Sequence, residues 1–200
     1  MAKIITIAQQ KGGAGKTTLL VQLAHHWQAA GRRVALIDLD PQGSLTRWAK
    51  MRGDMECRAS ADWKAASEIR SAARTADIVL VDCPGGADIL LRATIRDSDL
   101  VLAPAQSSPM DIWALEPVVE MAAKEKTPLR VVLNRVPPAG KAEAMARAEI
   151  GEAVCAAQLG NRVVFQQAFG LGKAAAEVQP KGKAATEVTA LAEELEPLVG

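Results

Sequence analysis

The residues best suited to bind a ligand or take part in a reaction form one run near the start of the chain, Gln9-Gln10-Lys11-Gly12-Gly13-Ala14-Gly15-Lys16-Thr17-Thr18. A glycine-rich turn between a strand and a helix lets backbone N–H groups point at a phosphate, and the helix N-terminus adds partial positive charge. Lys16 is placed to bind β- and γ-phosphates, and Thr17 can offer its hydroxyl to Mg²⁺. The run from Lys11 to Thr18 therefore predicts a phosphate-binding loop.

This loop departs from the strict pattern G-x-x-x-x-G-K-[ST], because Gln10 stands where the first glycine is expected and a second lysine, Lys11, follows it. A dinucleotide-binding fingerprint is an alternative, since Gly13-Ala14-Gly15 gives G-x-G and Asp38 could bind a ribose. Thr18 occupies the third glycine position of that fingerprint, which counts against it. A plain strand–helix turn with surface lysines is the remaining alternative.

Polar residues also follow three apolar runs further along the chain. Asp40 comes just after one run, and Asp82 and Asn134 end two others. Because the carboxyl ends of parallel strands meet at one edge of a sheet, where open α/β sheets bind ligands, we expect these side chains near the phosphate loop. The plainer interpretation is a turn former for each aspartate and a strand-end cap for Asn134.

The elements that must position these residues alternate along the chain. The predicted strands cover residues 4–8, 33–38, 56–59, 77–82, 99–103, 129–134 and 162–165. The predicted helices cover residues 17–30, 45–51, 61–76, 89–95, 111–124, 142–157 and 186–198. Continuous apolar strands that alternate with helices predict an α/β fold, a mostly parallel twisted sheet with helices on both faces, in a single domain of residues 1–200.

Composition excludes several classes of protein. The chain has 200 residues, 49% hydrophobic and 24% charged, which is typical of a globular protein rather than a disordered or fibrous one. Three scattered cysteines do not make a disulfide framework or a metal cage. The sequence contains no apolar run long enough to span a membrane, and we expect a cytoplasmic protein.

The lysine-first loop resembles the deviant Walker A motif of the ParA/MinD family of ATPases. Four further segments resemble the family's motifs, at residues 39–44, 79–84, 104–111 and 131–135. The similarity is greatest to short ParA partition proteins without an N-terminal DNA-binding domain, since the phosphate loop begins at residue 9. The resemblance implies the architecture of a P-loop NTPase that uses ATP/ADP and Mg²⁺.

The same resemblance implies roles for individual residues. Lys16 would bind phosphates within its own subunit, and Lys11 would cross a dimer interface to the partner's nucleotide. Thr17 and Asp82 would hold Mg²⁺, and Asp40 would orient or activate the attacking water. Lys11, Lys16 and Asp40 are thus the expected catalytic residues.

Two other positions bear on the resemblance. It implies that Asn134 binds the edge of adenine, beside the loop residues Lys11, Gly12, Gly13, Ala14, Gly15, Lys16, Thr17 and Thr18. The family commonly has two prolines after its Walker B aspartate and the following residue, whereas Cys83-Pro84 is followed here by Gly85-Gly86. We expect the glycines to make this switch segment more flexible.

The resemblance leaves open what the ATPase acts on. Residues 184–200 hold four glutamates and no lysine or arginine, so anionic lipid would repel them. Residues 120–183 hold ten Lys/Arg against six Glu, which favours non-specific DNA binding. We therefore predict a nucleoid-associated, ParA-like partition or positioning ATPase that dimerises with ATP and is stimulated by a ParB-like or cargo-bound activator protein, with no membrane partner.

Three alternative functions remain. The first is a MinD-like membrane-associated spatial regulator, which the acidic C-terminal segment disfavours. The second is a metallocluster carrier, which would need a cysteine pair to hold a cluster across a dimer. The third is a ligase or kinase that uses the same phosphate loop with a second substrate pocket.

Overall fold

The computed structural model describes residues 1–60, 62–86, 88–138 and 142–200, and these residues contain a six-stranded sheet. The strands in chain order are β1 (Lys3–Ile7), β2 (Val34–Asp38), β3 (Glu56–Ala59), β4 (Ile78–Asp82), β5 (Leu100–Ala105) and β6 (Leu129–Leu133). Their order across the sheet is β3-β2-β4-β1-β5-β6, and every neighbouring pair is parallel. The predicted α/β class is confirmed.

Helices cover both faces of this sheet. They are α1 (Lys16–Ala29), α2 (Ser44–Arg52), α3 (Ala65–Ala72), α4 (Asp88–Arg96), α5 (Pro109–Trp113), α6 (Glu116–Glu125), α7 (Ala142–Ile150), α8 (Val163–Gly170), α9 (Ala175–Val178) and α10 (Lys183–Val199), with 3-10 turns at Asp62–Lys64 and Gly151–Ala153. α1, α2, α8, α9 and α10 pack on one face, and α3, α4, α5, α6 and α7 pack on the other. Alternate residues of a strand serve the two cores, so Ile78 and Leu80 face α1 while Val79 and Val81 face α3 and α4.

The direction of the crossovers explains which helices share a face. The chain moves from β1 to β2 and β3 in one direction across the sheet, and from β3 to β4, β5 and β6 in the other. Because such connections are right-handed, the two directions place their helices on opposite faces. The reversal leaves a crevice at the carboxyl ends of β1 and β4, which is where ligands bind in open α/β sheets.

One predicted strand is wrong. Residues 162–165 were expected to be extended, but Arg162 is the N-cap of α8, with φ −124° and ψ 129°, and the following residues are helical. The β-branched pair Val163-Val164 is too short to show a period. The edge of the sheet beside β6 is instead lined by two isolated parallel bridges, Val131 to Val154 and Val136 to Gly160.

Several predicted helices differ in extent from the structure. The helix predicted over 142–157 ends at Ile150, because Gly151 takes φ +77°. The helix predicted over 111–124 is divided into α5 and α6 by a turn, and α9 was not predicted. The first residue of the helix predicted over 61–76 lies outside the described residues, as does Lys141 among the ten basic residues.

Candidate functional site

The phosphate loop joins β1 to α1 as predicted. Gly13 and Gly15 take φ +77° and +95°, a left-handed conformation that costs glycine little. Gly15 is the N-cap of α1, the helix has no acidic residue in its first turn, and its N-terminus therefore offers unopposed partial positive charge. Such a helix end is suited to hold an anion.

Lys16 and Thr17, the first residues of α1, point into the crevice between β1 and β4. Lys16 is 9% exposed, and its Nζ donates a hydrogen bond to the carbonyl oxygen of Gln9 at 3.0 Å. Thr17 Oγ1 donates to Asp82 Oδ2 at 2.6 Å. The two residues assigned to Mg²⁺ are thus in contact, on the two elements that flank the crevice.

Asp82 is almost fully buried at the end of β4. Burial raises its pKa to about 7, although the hydrogen bond from Thr17 and the charge of Lys16 act in the opposite direction. Its Oδ1 is buried and has no hydrogen-bond partner among the described residues. An unpartnered buried carboxylate oxygen is costly. A hard divalent cation with oxygen ligands would satisfy it, so Thr17 and Asp82 fit Mg²⁺.

Asp40 lies in the loop between β2 and α2, and its position is set by Asp38. The Asp38 carboxylate is buried and accepts three hydrogen bonds, from Asp40 N (3.1 Å), Thr46 N (2.8 Å) and Thr46 Oγ1 (2.7 Å). Asp40 Oδ1 accepts from Gln42 N at 2.9 Å, and Asp40 remains only half-buried. Asp38 thus fixes the loop that carries Asp40.

Most of the predicted site residues line one open cavity of about 950 Å³. Its lining includes Gly12, Gly13, Gly15, Lys16, Thr17, Thr18 and Asp40. Sequence reasoning missed Arg135, Gln166 and Phe169, which also line it. Arg135 follows Asn134 and takes φ +54°, which no pattern in the sequence signals. Gln166 and Phe169 are on α8, in the segment that was wrongly predicted to start as a strand.

Lys11 is bound to its own chain. Its Nζ donates to Asp111 Oδ1 at 2.5 Å, and its side chain is 41% exposed. Burial alone would raise the pKa of Asp111, but hydrogen bonds from Lys11 and Ser108 outweigh burial and hold that pKa below its usual range. Lys11 is therefore turned toward α5.

Asn134 lies beneath the phosphate loop and is 3% exposed. Its Nδ2 donates to the carbonyl oxygen of Ala14 at 2.9 Å, and its Oδ1 accepts from Arg135 N at 2.9 Å. Both ends of the amide are thus engaged within the chain. Contact with adenine stays a prediction.

Steric and backbone constraints explain why glycines stand at residues 85 and 86, in the switch segment after β4. A Cβ on Gly85 would lie 2.7 Å from the carbonyl oxygen of Gln10, and Gly86 takes φ +84°. The switch segment therefore packs directly against the phosphate loop, with no room for a side chain at residue 85. Both glycines line the cavity.

Part of the basic segment, residues 120–183, and most glutamates of the acidic segment, residues 184–200, make contacts within the chain. Lys124, Arg147 and Arg162 form ion pairs with glutamates. In α10, Glu194 accepts from the backbone N–H groups of Ala156 (2.9 Å) and Ala157 (2.8 Å). Glu187 pairs with Arg162, and Glu196 pairs with Arg32. The apolar side of α10, which includes Leu191 and Leu195, is buried.

The fold and the cavity define a P-loop nucleotide-binding protein of the parallel α/β class. Residues 5–170 match the CobQ/CobB/MinD/ParA nucleotide binding domain, and the chain belongs to this family. The predicted resemblance to ParA/MinD ATPases is confirmed, and the chain is a relative of partition and positioning ATPases.

Two curated relatives match nearly the whole chain. The maintenance of carboxysome distribution protein A of Halothiobacillus neapolitanus is 30% identical over 96% of this chain and 96% of its own length. The chromosome-partitioning ATPase Soj of Thermus thermophilus is 28% identical over 96% of this chain and 94% of its own.

Two solved structures share the fold. The septum site-determining protein MinD of Pyrococcus horikoshii, complexed with Mg-ADP, covers 100% of this chain and 98% of its own at a TM-score of 0.78 and 20% identity. The pNOB8 ParA bound to nonspecific DNA covers 100% of this chain and 99% of its own at a TM-score of 0.72 and 18% identity. The helices of the described residues do not include one with the length and hydropathy of a membrane span.

Proposed function

We propose that the chain is a Mg²⁺-dependent ATPase. The observation that carries this proposal is the pair of Thr17 and Asp82, joined at 2.6 Å beside Lys16, with Asp82 Oδ1 left without a partner. In this proposal Lys16 exchanges the Gln9 carbonyl for the phosphates, and the loop N–H groups bind the phosphate oxygens. Bound Mg²⁺ would neutralise charge on the β- and γ-phosphates.

Asp40 is the residue proposed to orient the attacking water. It lines the same cavity as Lys16 and is only half-buried. Phosphoryl transfer requires positive charge at the phosphate and a water held in line, and little covalent chemistry from the protein. The Asp40 carboxylate lies at the cavity wall because Asp38 binds the Asp40 backbone N–H, and this carboxylate can accept hydrogen bonds from that water.

We further propose that two ATP-bound copies pair through the face that carries Lys11. Met110 and Trp113 are 69% and 60% exposed, and they flank Asp111 on α5. Large apolar side chains at that exposure are suited to burial against a second copy. On pairing, Lys11 would leave Asp111 and reach the partner's phosphates, as a point charge that makes hydrolysis depend on the dimer.

The proposed ligand of the dimer is duplex DNA without sequence preference, and the proposed location is the nucleoid. The structure of a ParA bound to nonspecific DNA and the partition role in the name Soj support this proposal. Lys173, Lys181 and Lys183 are exposed near α9 and could contact phosphates. A ParB-like or cargo-bound activator protein would then trigger hydrolysis and release.

The test is gel retardation of an arbitrary duplex at moderate salt, with ATP, with ADP and without nucleotide. We expect retardation of the DNA only when both ATP and Mg²⁺ are present, and we expect the retardation to weaken as the salt concentration rises. Lys16→Ala serves as the variant that cannot bind phosphates, and Lys50→Ala is the matched surface control. Equal retardation with ADP and ATP would contradict the nucleotide dependence, and no retardation at any salt would contradict the DNA proposal.

A further inference from the structure

Two consecutive carbonyl groups of the phosphate loop are held from outside by side-chain amides. Gln106 Nε2 donates to the carbonyl oxygen of Gly13 at 3.1 Å, and Asn134 Nδ2 donates to that of Ala14 at 2.9 Å. Gln106 directly follows β5, and Asn134 directly follows β6. The two strands beyond β1 thus each contribute one amide to the loop.

A held carbonyl also fixes the direction of the next N–H group. In a planar trans peptide the C=O and N–H bonds point in opposite directions. The bond from Gln106 therefore sets the N–H of Ala14, and the bond from Asn134 sets the N–H of Gly15. Gly15 lines the cavity, and Ala14 lies between the two lining residues Gly13 and Gly15, so these bonds set the direction of N–H groups in the part of the loop that borders the cavity.

Asn134 is built tightly into this arrangement. Its Oδ1 accepts from Arg135 N, which fixes the orientation of the amide and leaves Nδ2 facing the loop. A Cβ on Gly15 would overlap Asn134 Nδ2, so the contact requires glycine at residue 15. The amide and the left-handed glycine therefore fit each other.

We propose that Gln106 and Asn134 are positioning residues that preorganise the phosphate loop before a nucleotide binds. The inference rests on the proposed nucleotide site and adds to it. Donors that are already aimed at an anion lose little entropy on binding, so preorganisation increases affinity. Since both residues act through backbone carbonyls of the loop, their effect falls on the phosphates and is independent of the base.

The experiment compares the affinities of inorganic triphosphate, ATP and GTP, each with Mg²⁺, by titration calorimetry. Gln106→Ala and Asn134→Ala are each expected to weaken triphosphate binding by about 3- to 10-fold, the equivalent of one lost hydrogen bond, and to weaken ATP and GTP by the same factor. Gln167→Ala and Asn161→Ala, at exposed positions, are the matched controls and should leave all three affinities unchanged.

The outcomes separate three cases. Unchanged triphosphate affinity in Gln106→Ala overturns the inference. Gln106 is only half-buried, so its substitution still tests the inference if Asn134→Ala does not fold. A loss of ATP affinity in Asn134→Ala with normal triphosphate affinity assigns Asn134 to the base and also overturns it. A parent chain that binds neither triphosphate nor ATP overturns the proposed function itself.

Discussion

The proposed roles of Lys11 and Asp40 belong to the nucleotide-bound dimer, in which both side chains would have to exchange their present partners. Lys11 is bound to Asp111 of its own chain, and Asp40 is bound to the N–H group of Gln42. Both bonds involve flexible or half-exposed groups that a nucleotide or a second copy can replace. Each role can therefore be tested by one substitution that removes a single side chain and keeps Lys16 and Thr17.

Lys11→Ala is expected to keep ATP binding and to lose nucleotide-dependent pairing, with ATP turnover reduced on the order of 100-fold or more. The reason is that the proposed second positive charge at the phosphates comes from the partner's copy of this lysine. Size-exclusion chromatography with ATP and Mg²⁺ and a phosphate-release assay measure the two effects. Lys50→Ala is the control, and normal turnover by Lys11→Ala would rule out the role in trans.

Asp40→Ala is expected to reduce hydrolysis by roughly 100- to 1000-fold while ATP still binds, because the water loses its hydrogen-bond acceptor. ATP dimers should then persist for longer, which chromatography after dilution from ATP would detect. Asp97→Ala removes a surface carboxylate that pairs with Arg96 and is the control. Rapid dissociation of the variant dimer would contradict this role.

The sequence was informative about residues that follow strands and uninformative about their partners. The contact of Thr17 with Asp82 could be expected, because β1 and β4 end at the same edge once the sheet is parallel. The bonds of Asp38 to Thr46 and of Gln106 to Gly13 could not, since they depend on loop conformations that no periodicity encodes. Polar side chains of this kind look the same in sequence as ordinary surface residues.

At the scale of elements, the switch segment after β4 is coupled to the phosphate loop through backbone contact. Gly85→Ala would bring a Cβ within 2.7 Å of the Gln10 carbonyl oxygen and should displace one of the two segments. We expect a destabilisation of about 1–3 kcal/mol and weaker ATP binding. Denaturant unfolding and nucleotide titration measure these effects.

The matched control for that substitution is Gly170→Ala in α8, where nothing lies within 4 Å of the added Cβ. Alanine there should be neutral or stabilising, because glycine has a low helix propensity. Unchanged ATP affinity and stability in Gly85→Ala would show that the segments can separate without cost.

Most elements with a continuous apolar run or a strong stop signal were predictable, whereas the four-residue helix α9 was not. The strands from β1 to β6 were all anticipated within two residues, since all except the partly exposed β3 are apolar runs that lie largely buried in the sheet. Residues 154–157 were wrongly assigned to a helix, because an isolated bridge from Val154 to β6 and hydrogen bonds to Glu194 of α10 hold them, and such contacts leave no pattern in the sequence. Local propensity in Val163-Val164 pointed to a strand, and tertiary packing selected a helix.

At the scale of the whole molecule, the two ends of the sheet have different tasks. The carboxyl ends of the strands hold the cavity, whereas at the amino ends Arg33 joins the start of β2 to Asp77, just before β4. Arg33 N donates to Asp77 Oδ2 at 2.9 Å and its guanidinium binds both carboxylate oxygens. Hydrogen bonds from the Arg33 side chain and backbone lower the pKa of Asp77 to about 2.

Asp77→Asn is expected to lower stability at neutral pH and to have no effect at very low pH. A carboxyl whose pKa is lower in the folded state stabilises the fold above its unfolded pKa, and this contribution is lost as pH falls toward about 2. Urea unfolding of parent and variant between pH 7 and pH 2 gives the difference. In an Arg33→Ala background the pH dependence of the difference should become smaller, because the guanidinium is lost while the backbone N–H of residue 33 still donates to Asp77. An unchanged pH dependence there would contradict the role of the guanidinium.

The last helix, α10, is a structural part of the domain face on which it packs. Removing the chain from Lys183 onward would take away the Glu194 partner of the Ala156 and Ala157 N–H groups and would uncover the apolar residues of α1 and α9 against which α10 packs. A truncated chain should therefore aggregate rather than lose only a targeting function. Affinity tags and reporter domains should therefore not replace α10. An exposed loop on another side of the protein is a better place to insert them.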